Sequence, residues 1–407
     1  MKKLLTSAAV CGLAAFAVMP AHAATQASDG LKLDVGGYFK GYAVYTNQDD
    51  DSAAAETRKY DIIRNTEVHF GGETTLDNGL TVGFHVETAA DAGDGFEVNE
   101  SYGYFSGGWG RVNVGGEDGA AYLLQVEAPS ADSNVDGLRQ FVNPVRYAGL
   151  NAAGTLTGLN VGASGSTGGL DYDQDVSANA DKITYLSPIM NGFQVGVSYT
   201  PDVANASDEN LANTKNVDNT FGATWDAAAR YEGQFNNVGV ILGAGYTKED
   251  LESVETAGGG PDAGEPTDDR TAWNVGADLT FGPFGVGAAY LHDNHGKIDT
   301  LANAAEDTIT SEKTWVVGAD YTTGPWKLGA SYLRSKAPVS VAGTSGTNGT
   351  DGVTAKRLTG GVTYTYGPGM TFRGSISRAS FDNVAGITGG DDSADATSVL
   401  LGTQINF

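Results

Sequence analysis

Paired alternating runs constrain this chain more than any other feature. Trp273, Val275, Ala277, Leu279 and Phe281 alternate with Asn274, Gly276, Asp278 and Thr280. Gly282-Pro283 follows, and Phe284, Val286, Ala288 and Tyr290 then alternate with small residues. The form recurs at Trp315–Tyr321, Gly324-Pro325, Trp326–Tyr332, and at Leu358–Tyr366, Gly367-Pro368-Gly369, Met370–Ile376. Earlier copies are Trp225–Phe235, Asn236-Asn237, Val238–Tyr246, and Phe70–Leu76, Asp77-Asn78-Gly79, Leu80–Val86. Period-2 runs joined by a tight Gly/Pro/Asn turn predict β-hairpins.

The stretches between hairpins are long and polar: Asn47–Lys59, Asp202–Asn219, Lys248–Asp269, Asp293–Glu312 and Lys336–Ala355. Short turns at one end and long loops at the other are what an outer-membrane barrel requires. Many runs also begin or end in aromatics on the apolar face, such as Trp225 and Phe235, or Trp326 and Tyr332. Such residues predict two girdles at the lipid–water interfaces. One strand at Lys32–Tyr45, seven hairpins and a closing strand at Thr397–Phe407 predict an all-β, antiparallel up-and-down transmembrane barrel of sixteen strands. A barrel of that size leaves an aqueous lumen.

Charge and composition agree. The chain has 407 residues, with 50 Asp and Glu against 24 Lys and Arg, a net charge of -26. It should repel nucleic acid. Lys2 and Lys3, an apolar run from Leu4 to about Met19, and Ala21-His22-Ala23 read as a secretory signal peptide cut after Ala23. The expected division is residues 1–23 as leader and 24–407 as barrel, exported to the outer membrane. Cys11 is the only cysteine and lies in the leader, which excludes disulfide scaffolds, thiol catalysis and thiolate zinc sites. No other apolar run reaches the ~18–20 residues of a membrane-spanning helix.

Several segments resemble the Gram-negative general porins. They are Val35–Tyr45, Phe70–Leu80, Ser101–Gly116, Lys182-Ile183-Thr184-Tyr185, Gly192–Tyr199 and the terminal Phe407. The resemblance covers the mature chain and implies a homotrimer of sixteen-stranded channels. It implies that Phe407 is read by the barrel-assembly machinery. It also implies that Glu117–Asp181 is the third loop, folded into the lumen as a constriction, with Glu117, Asp118, Glu127, Asp132 and Asp136 as its acids. An extra hairpin from Asn143–Ala148 and Leu159–Ser164 would make eighteen strands. Sixteen is preferred because 143–164 lacks an aromatic girdle and clean alternation.

Alternation assigns faces, because charge against lipid costs ~2–4 kcal/mol at mid-membrane. With Leu33, Val35 and Phe39 outward, Asp34, Tyr38 and Lys40 face inward. The same logic turns Glu67, His69, Glu73, His85, Glu87 and Glu100 to the lumen. Further inward positions are Lys182, Asp226, Arg230, Glu232, Asp278, Asp320, Lys327, Arg357 and Arg373. The porins commonly set basic wall residues against loop acids. Lys40 matches such a position, but Glu67 and Glu100 stand where the family commonly has arginine. Acids on both sides predict a cation-preferring pore for small hydrophilic solutes. Small outward residues, among them Gly37, Gly41, Ala43, Gly72 and Gly103, predict a subunit contact on the early strands.

Two rivals remain. One is a substrate-specific channel for a sugar or amino acid, with Tyr122, Phe141, Tyr147 and Tyr172 as a stacking track. The other is a plugged barrel serving as an adhesin or structural protein. No catalytic constellation and no cofactor motif is found, so an enzyme is not expected. His292-Asp293-Asn294-His295 reads as a strand end entering a polar loop, and no metal site is assigned. Asp49-Asp50-Asp51 and Asp391-Asp392 suggest calcium binding or bridges to lipopolysaccharide through divalent ions, without the alternating ligand spacing of a calcium loop.

Overall fold

The structure, a computed structural model, describes residues 30, 32–48, 58–90, 95–130, 135–136, 139–140, 172–203, 220–253, 266, 268–296, 311–337, 353–382 and 393–407. The leader and the segment 143–164 lie outside these residues. Strands β1 (Lys32–Gln48), β2 (Tyr60–Thr75), β3 (Thr81–Ala89), β4 (Glu97–Gly107) and β5 (Gly110–Gly116) come first. A four-residue helix α1 (Ala120–Leu123) follows, then a short ribbon of β6 (Val135–Asp136) and β7 (Arg139–Gln140). The wall resumes with β8 (Asp181–Leu186), β9 (Phe193–Thr200), β10 (Phe221–Phe235), β11 (Val238–Leu251), β12 (Arg270–Phe281) and β13 (Phe284–Asp293). It ends with β14 (Glu312–Thr323), β15 (Trp326–Ala337), β16 (Val353–Gly367), β17 (Met370–Asp382) and β18 (Ser393–Asn406).

All strands but β6 and β7 form one closed barrel, sixteen in number, each antiparallel to its neighbours. β1 closes on β18, with Tyr38 opposite Asn406 and Lys40 opposite Gln404. β5 pairs directly with β8, from Arg111 opposite Leu186 to Gly116 opposite Asp181. The chain between them therefore adds no strand to the wall, and an eighteen-stranded barrel is excluded. Closure leaves no free sheet edge in the hydrocarbon, where an unpaired backbone group costs several kcal/mol.

The turns at one end are short. Gly282 bridges β12 and β13 at φ 58, the left-handed backbone that a two-residue hairpin demands. The first half of β1 and the C-terminal Phe407 meet at this end: the amide of Gly37 donates to Phe407 and that of Phe407 to Gly37, at 3.0 and 3.1 Å.

Outward-facing aromatics form two belts. Near the long-loop end Trp225 packs on Tyr199 at 4.3 Å, Trp273 on Tyr290 at 5.1 Å and Trp315 on Tyr332 at 5.2 Å. Near the turns Phe193 meets Tyr231 at 4.6 Å, Phe284 meets Tyr321 at 5.0 Å and Trp326 meets Tyr364 at 4.5 Å. From Trp273 to Phe281 is ~27 Å at ~3.4 Å per residue. A tilt of ~40° makes that ~21 Å of height, close to the ~25 Å apolar band of such barrels.

Several strands run beyond the lengths expected from alternation. β2 starts at Tyr60, ten residues ahead of Phe70; β1 continues to Gln48; β18 starts at Ser393. Above the upper aromatic belt the outward face carries ion pairs: Lys248 with Asp269 at 3.0 Å, Lys356 with Asp382 at 2.5 Å and Arg378 with Asp395 at 2.9 Å. Water wets both faces there. The period-2 contrast fades while the backbone ladder continues.

Candidate functional site

Register fixes what each inward side chain meets. His69 of β2 stands opposite Glu87 of β3, and Glu87 stands opposite Glu100 of β4. One step toward the turns, Gly71, His85 and Tyr102 form the next row. One step the other way, Tyr38 stands opposite Glu67. The result is a single patch of Glu67, His69, His85, Glu87 and Glu100. His69 Nε2 lies 3.4 Å from both Glu67 Oε2 and Glu87 Oε1, and His85 Nε2 lies 3.5 Å from Glu87 Oε2.

The inward cations are largely engaged. Lys40, 1% exposed, holds its ammonium 4.2 Å from the Tyr38 ring centroid. Lys327 pairs with Asp320 at 3.0 Å. Arg230 donates to the main-chain oxygen of Gln125 at 3.1 Å and sits 3.8 Å from Glu232. Arg373 reaches Thr371 at 3.4 Å. Arg357 is 4% exposed and stands opposite Leu333 and Ala379. Arg111, which sequence reasoning did not single out, lies over Tyr104 at 3.9 Å and donates to Asn113 at 2.6 Å. Glu73 accepts from the Tyr104 hydroxyl at 3.0 Å. Asp278 shares the inward face of β12 with Asn274 and Gly276.

The described parts of the segment between β5 and β8 pack on the inner faces of β9–β14. Ser198 Oγ accepts from the amide of Ala120 at 3.1 Å and donates to Asp226 at 2.7 Å. Gln174 donates to Thr247 at 2.8 Å, and Asn274 donates to Gln174 at 2.7 Å. The two limbs are sewn together by Gln125, which donates to Tyr172 O at 2.7 Å and accepts from the amide of Gln174 at 2.8 Å. Glycines make room: a Cβ on Gly276 would lie 2.5 Å from Val126 O, and one on Gly318 would strike Pro129 O.

This loop consumes residues that the sequence suggested for the pore. Lys182 is 2% exposed and donates to the main-chain oxygens of Glu117, Ala178 and Ala180, the latter two at 2.7 Å. Glu117 is buried and accepts from Asn113 at 2.7 Å. Asp118 and Glu127 are half-buried. Tyr172 is buried and its hydroxyl accepts from the amide of Ala128 at 3.1 Å, so it holds the loop. Asp136 lies in β6, paired through the backbone with Arg139. Asp132, Phe141 and Tyr147 lie outside the described residues.

At the long-loop rim a second polar group ties β11 to β15. Arg270 pairs with the buried Asp293 at 2.6 Å, and His295 reaches Glu312 at 3.0 Å. Glu312 also accepts from Thr314 at 2.7 Å and Ser335 at 3.2 Å. Burial opposes protonation of His295, but Asp293 and Glu312 outweigh it and raise its pKa above the usual 6.5.

A closed sixteen-stranded barrel, apolar outside and polar inside with a loop bound to its inner wall, defines a transmembrane channel of the outer-membrane type. The chain belongs to the Gram-negative porin family, whose model matches residues 6–384. It is an outer-membrane porin. Among solved structures, an anion-selective porin from Comamonas acidovorans is 18% identical, with a TM-score of 0.60 over 93% of this chain and 100% of that one. OmpT of Vibrio cholerae in its trimer form is 15% identical, with a TM-score of 0.55 over 93% and 100%. Likenesses at such identity carry the fold alone. Uncharacterized protein RT0064 of Rickettsia typhi is 24% identical over 54% of this chain and 51% of its own length. Uncharacterized protein RP068 of Rickettsia prowazekii is 26% identical over 38% and 35%. The chain thus spans about a third to a half of the length of these two curated relatives.

Proposed function

We propose that the barrel passes small hydrophilic solutes and ions by passive diffusion and favours cations. One observation carries the preference. Glu67, Glu87 and Glu100 stand together on the inner wall of β2–β4, while Lys182 is capped by carbonyls and Lys327 is paired with Asp320. A low-dielectric wall concentrates the field of such carboxylates and raises the local concentration of cations.

The working unit is a homotrimer. OmpT offers the precedent of a trimer on the same fold. On the outward face of β4, a Cβ at Gly103 would meet nothing closer than Gly83 O at 3.7 Å, which leaves room for another subunit. Gly41 and Gly72 contribute less, because Phe39 and Phe84 of the same chain already lie over them. Phe407 presents its ring outward, 62% exposed, as a signal for the barrel-assembly machinery. Cleavage after Ala23 precedes assembly, and acids at 49–51 and 391–392, outside the described residues, contact lipopolysaccharide.

Planar-bilayer recording tests the channel itself. Purified protein should insert in ohmic conductance steps and let small sugars swell liposomes without saturation. Silent membranes would support a plugged barrel. Saturable block by one solute would support a substrate-specific channel.

A further inference from the structure

The geometry points to a binding site for a first-row divalent cation such as Zn²⁺ on the inner wall, formed by His69, His85 and Glu87. One donor atom from each lies within 4.8 Å of the others. Two imidazoles and a carboxylate on neighbouring strands suit zinc, copper or nickel, whereas magnesium and calcium prefer all-oxygen shells.

The spacing separates a metal site from an ion-pair network. Charge-assisted N–H···O bonds close to ~2.7–2.9 Å. Here Glu87 stays 3.4 Å from His69 Nε2 and 3.5 Å from His85 Nε2, through different oxygens. A tetrahedral ion with ligands at ~2.0–2.1 Å sets neighbouring donors ~3.3–3.4 Å apart. Both histidine–Glu87 pairs therefore stand at the separation an ion would impose, and a small shift of the side chains within the 4.8 Å group brings one oxygen of Glu87 and both imidazoles onto a common ion. Glu67 Oε2, 3.4 Å from His69 Nε2, borders this group of three and is not one of its donors.

The support is rigid and the approach is open. Each ligand sits on a strand whose register is fixed by the barrel ladder, so no loop has to fold to make the site. Tyr102 flanks His85 at 5.4 Å and Tyr38 meets His69 edge-on at 6.2 Å, which restrains both rings. His85 is nearly covered, whereas the side chains of His69 and Glu87 keep 18% and 19% exposure, so an ion arrives from the lumen side. Access rests on the water-filled lumen proposed above, but the site is tested by binding and not by current.

The experiment is calorimetric titration of detergent-solubilised wild-type protein with ZnCl₂, paired with anomalous diffraction at the zinc edge from zinc-soaked crystals. Saturable binding at one site per chain, with a peak among His69 Nε2, His85 Nε2 and the Glu87 carboxylate, is the expected result. His69→Asn and Glu87→Gln should each weaken binding at least ~tenfold, since even losses around a ligand cost ~10–100-fold. His292→Asn, on the outward face, should leave it unchanged. No saturable binding below millimolar zinc, a peak only at other carboxylates, or full affinity in both ligand variants would overturn the site. A protein that binds zinc here yet conducts no current would keep the site and refute the channel.

Discussion

The ammonium of Lys182 donates to the main-chain oxygen of Glu117, joining the two ends of the segment that leaves the wall after β5 and returns at β8. Ala178 and Ala180 supply two more carbonyls at 2.7 Å. A cation that reads from sequence as wall charge is thus a clasp for the inner loop. Lys182→Met would strand these carbonyls. It should destabilise the barrel by about 1.5–3 kcal/mol, the worth of hydrogen bonds to a charged donor, and add open-channel noise. Thermal unfolding in detergent and single-channel traces check both effects. A variant as stable and as quiet as wild type would show that the clasp is dispensable.

Part of the loop lies over wall glycines. Gly276→Val would drive a methyl-bearing carbon into Val126 O and push the loop off β12. Single-channel conductance should change. Gly360→Val, on the outward face, is the control for the same substitution away from the loop, because nothing lies within 4 Å of its Cβ position. Equal conductance in both variants would contradict the contact.

His295 makes the rim sensitive to pH. Its pKa is raised in the folded state by Asp293 and Glu312. Its stabilisation is then full below the unfolded value of about 6.5 and is lost as pH rises through the folded value. Melting temperature should fall over that alkaline limb, and His295→Asn should flatten it. An unaltered profile in the variant would remove His295 as the cause.

The lipid-facing parity has its own test. Ala277 lies midway between Trp273 and Phe281 on the outward face of β12. Ala277→Arg should cost about 2–4 kcal/mol for folding into bilayers. Equilibrium folding into vesicles measures this. A cost near zero would mean that this face does not meet lipid.

Much of the barrel was legible because lipid on one side and water on the other imprint a contrast on every second residue. Trp273–Phe281 and Phe284–Tyr290 declare a hairpin without any partner strand in view. The contrast ends at the headgroups, which is why Tyr60–Asn65 extends the wall without announcing itself. Inward parity was equally readable for Glu67, His69, His85 and Glu87. Their grouping was not, because His69 meets Glu87 only through a register set by the whole ladder. The path of the loop was also hidden. Gly276 and Gly318 look like ordinary small residues of a strand until Val126 and Pro129 are placed against them.

Reversal potential in a KCl gradient across a planar bilayer tests the central claim most directly. With Glu67, Glu87 and Glu100 on the wall, the potential should carry the sign of cation preference. Charge reversal in Glu67→Arg with Glu100→Arg should move it toward the anion side. A wild-type channel with an anion-selective potential, or one that ignores both substitutions, would contradict the account.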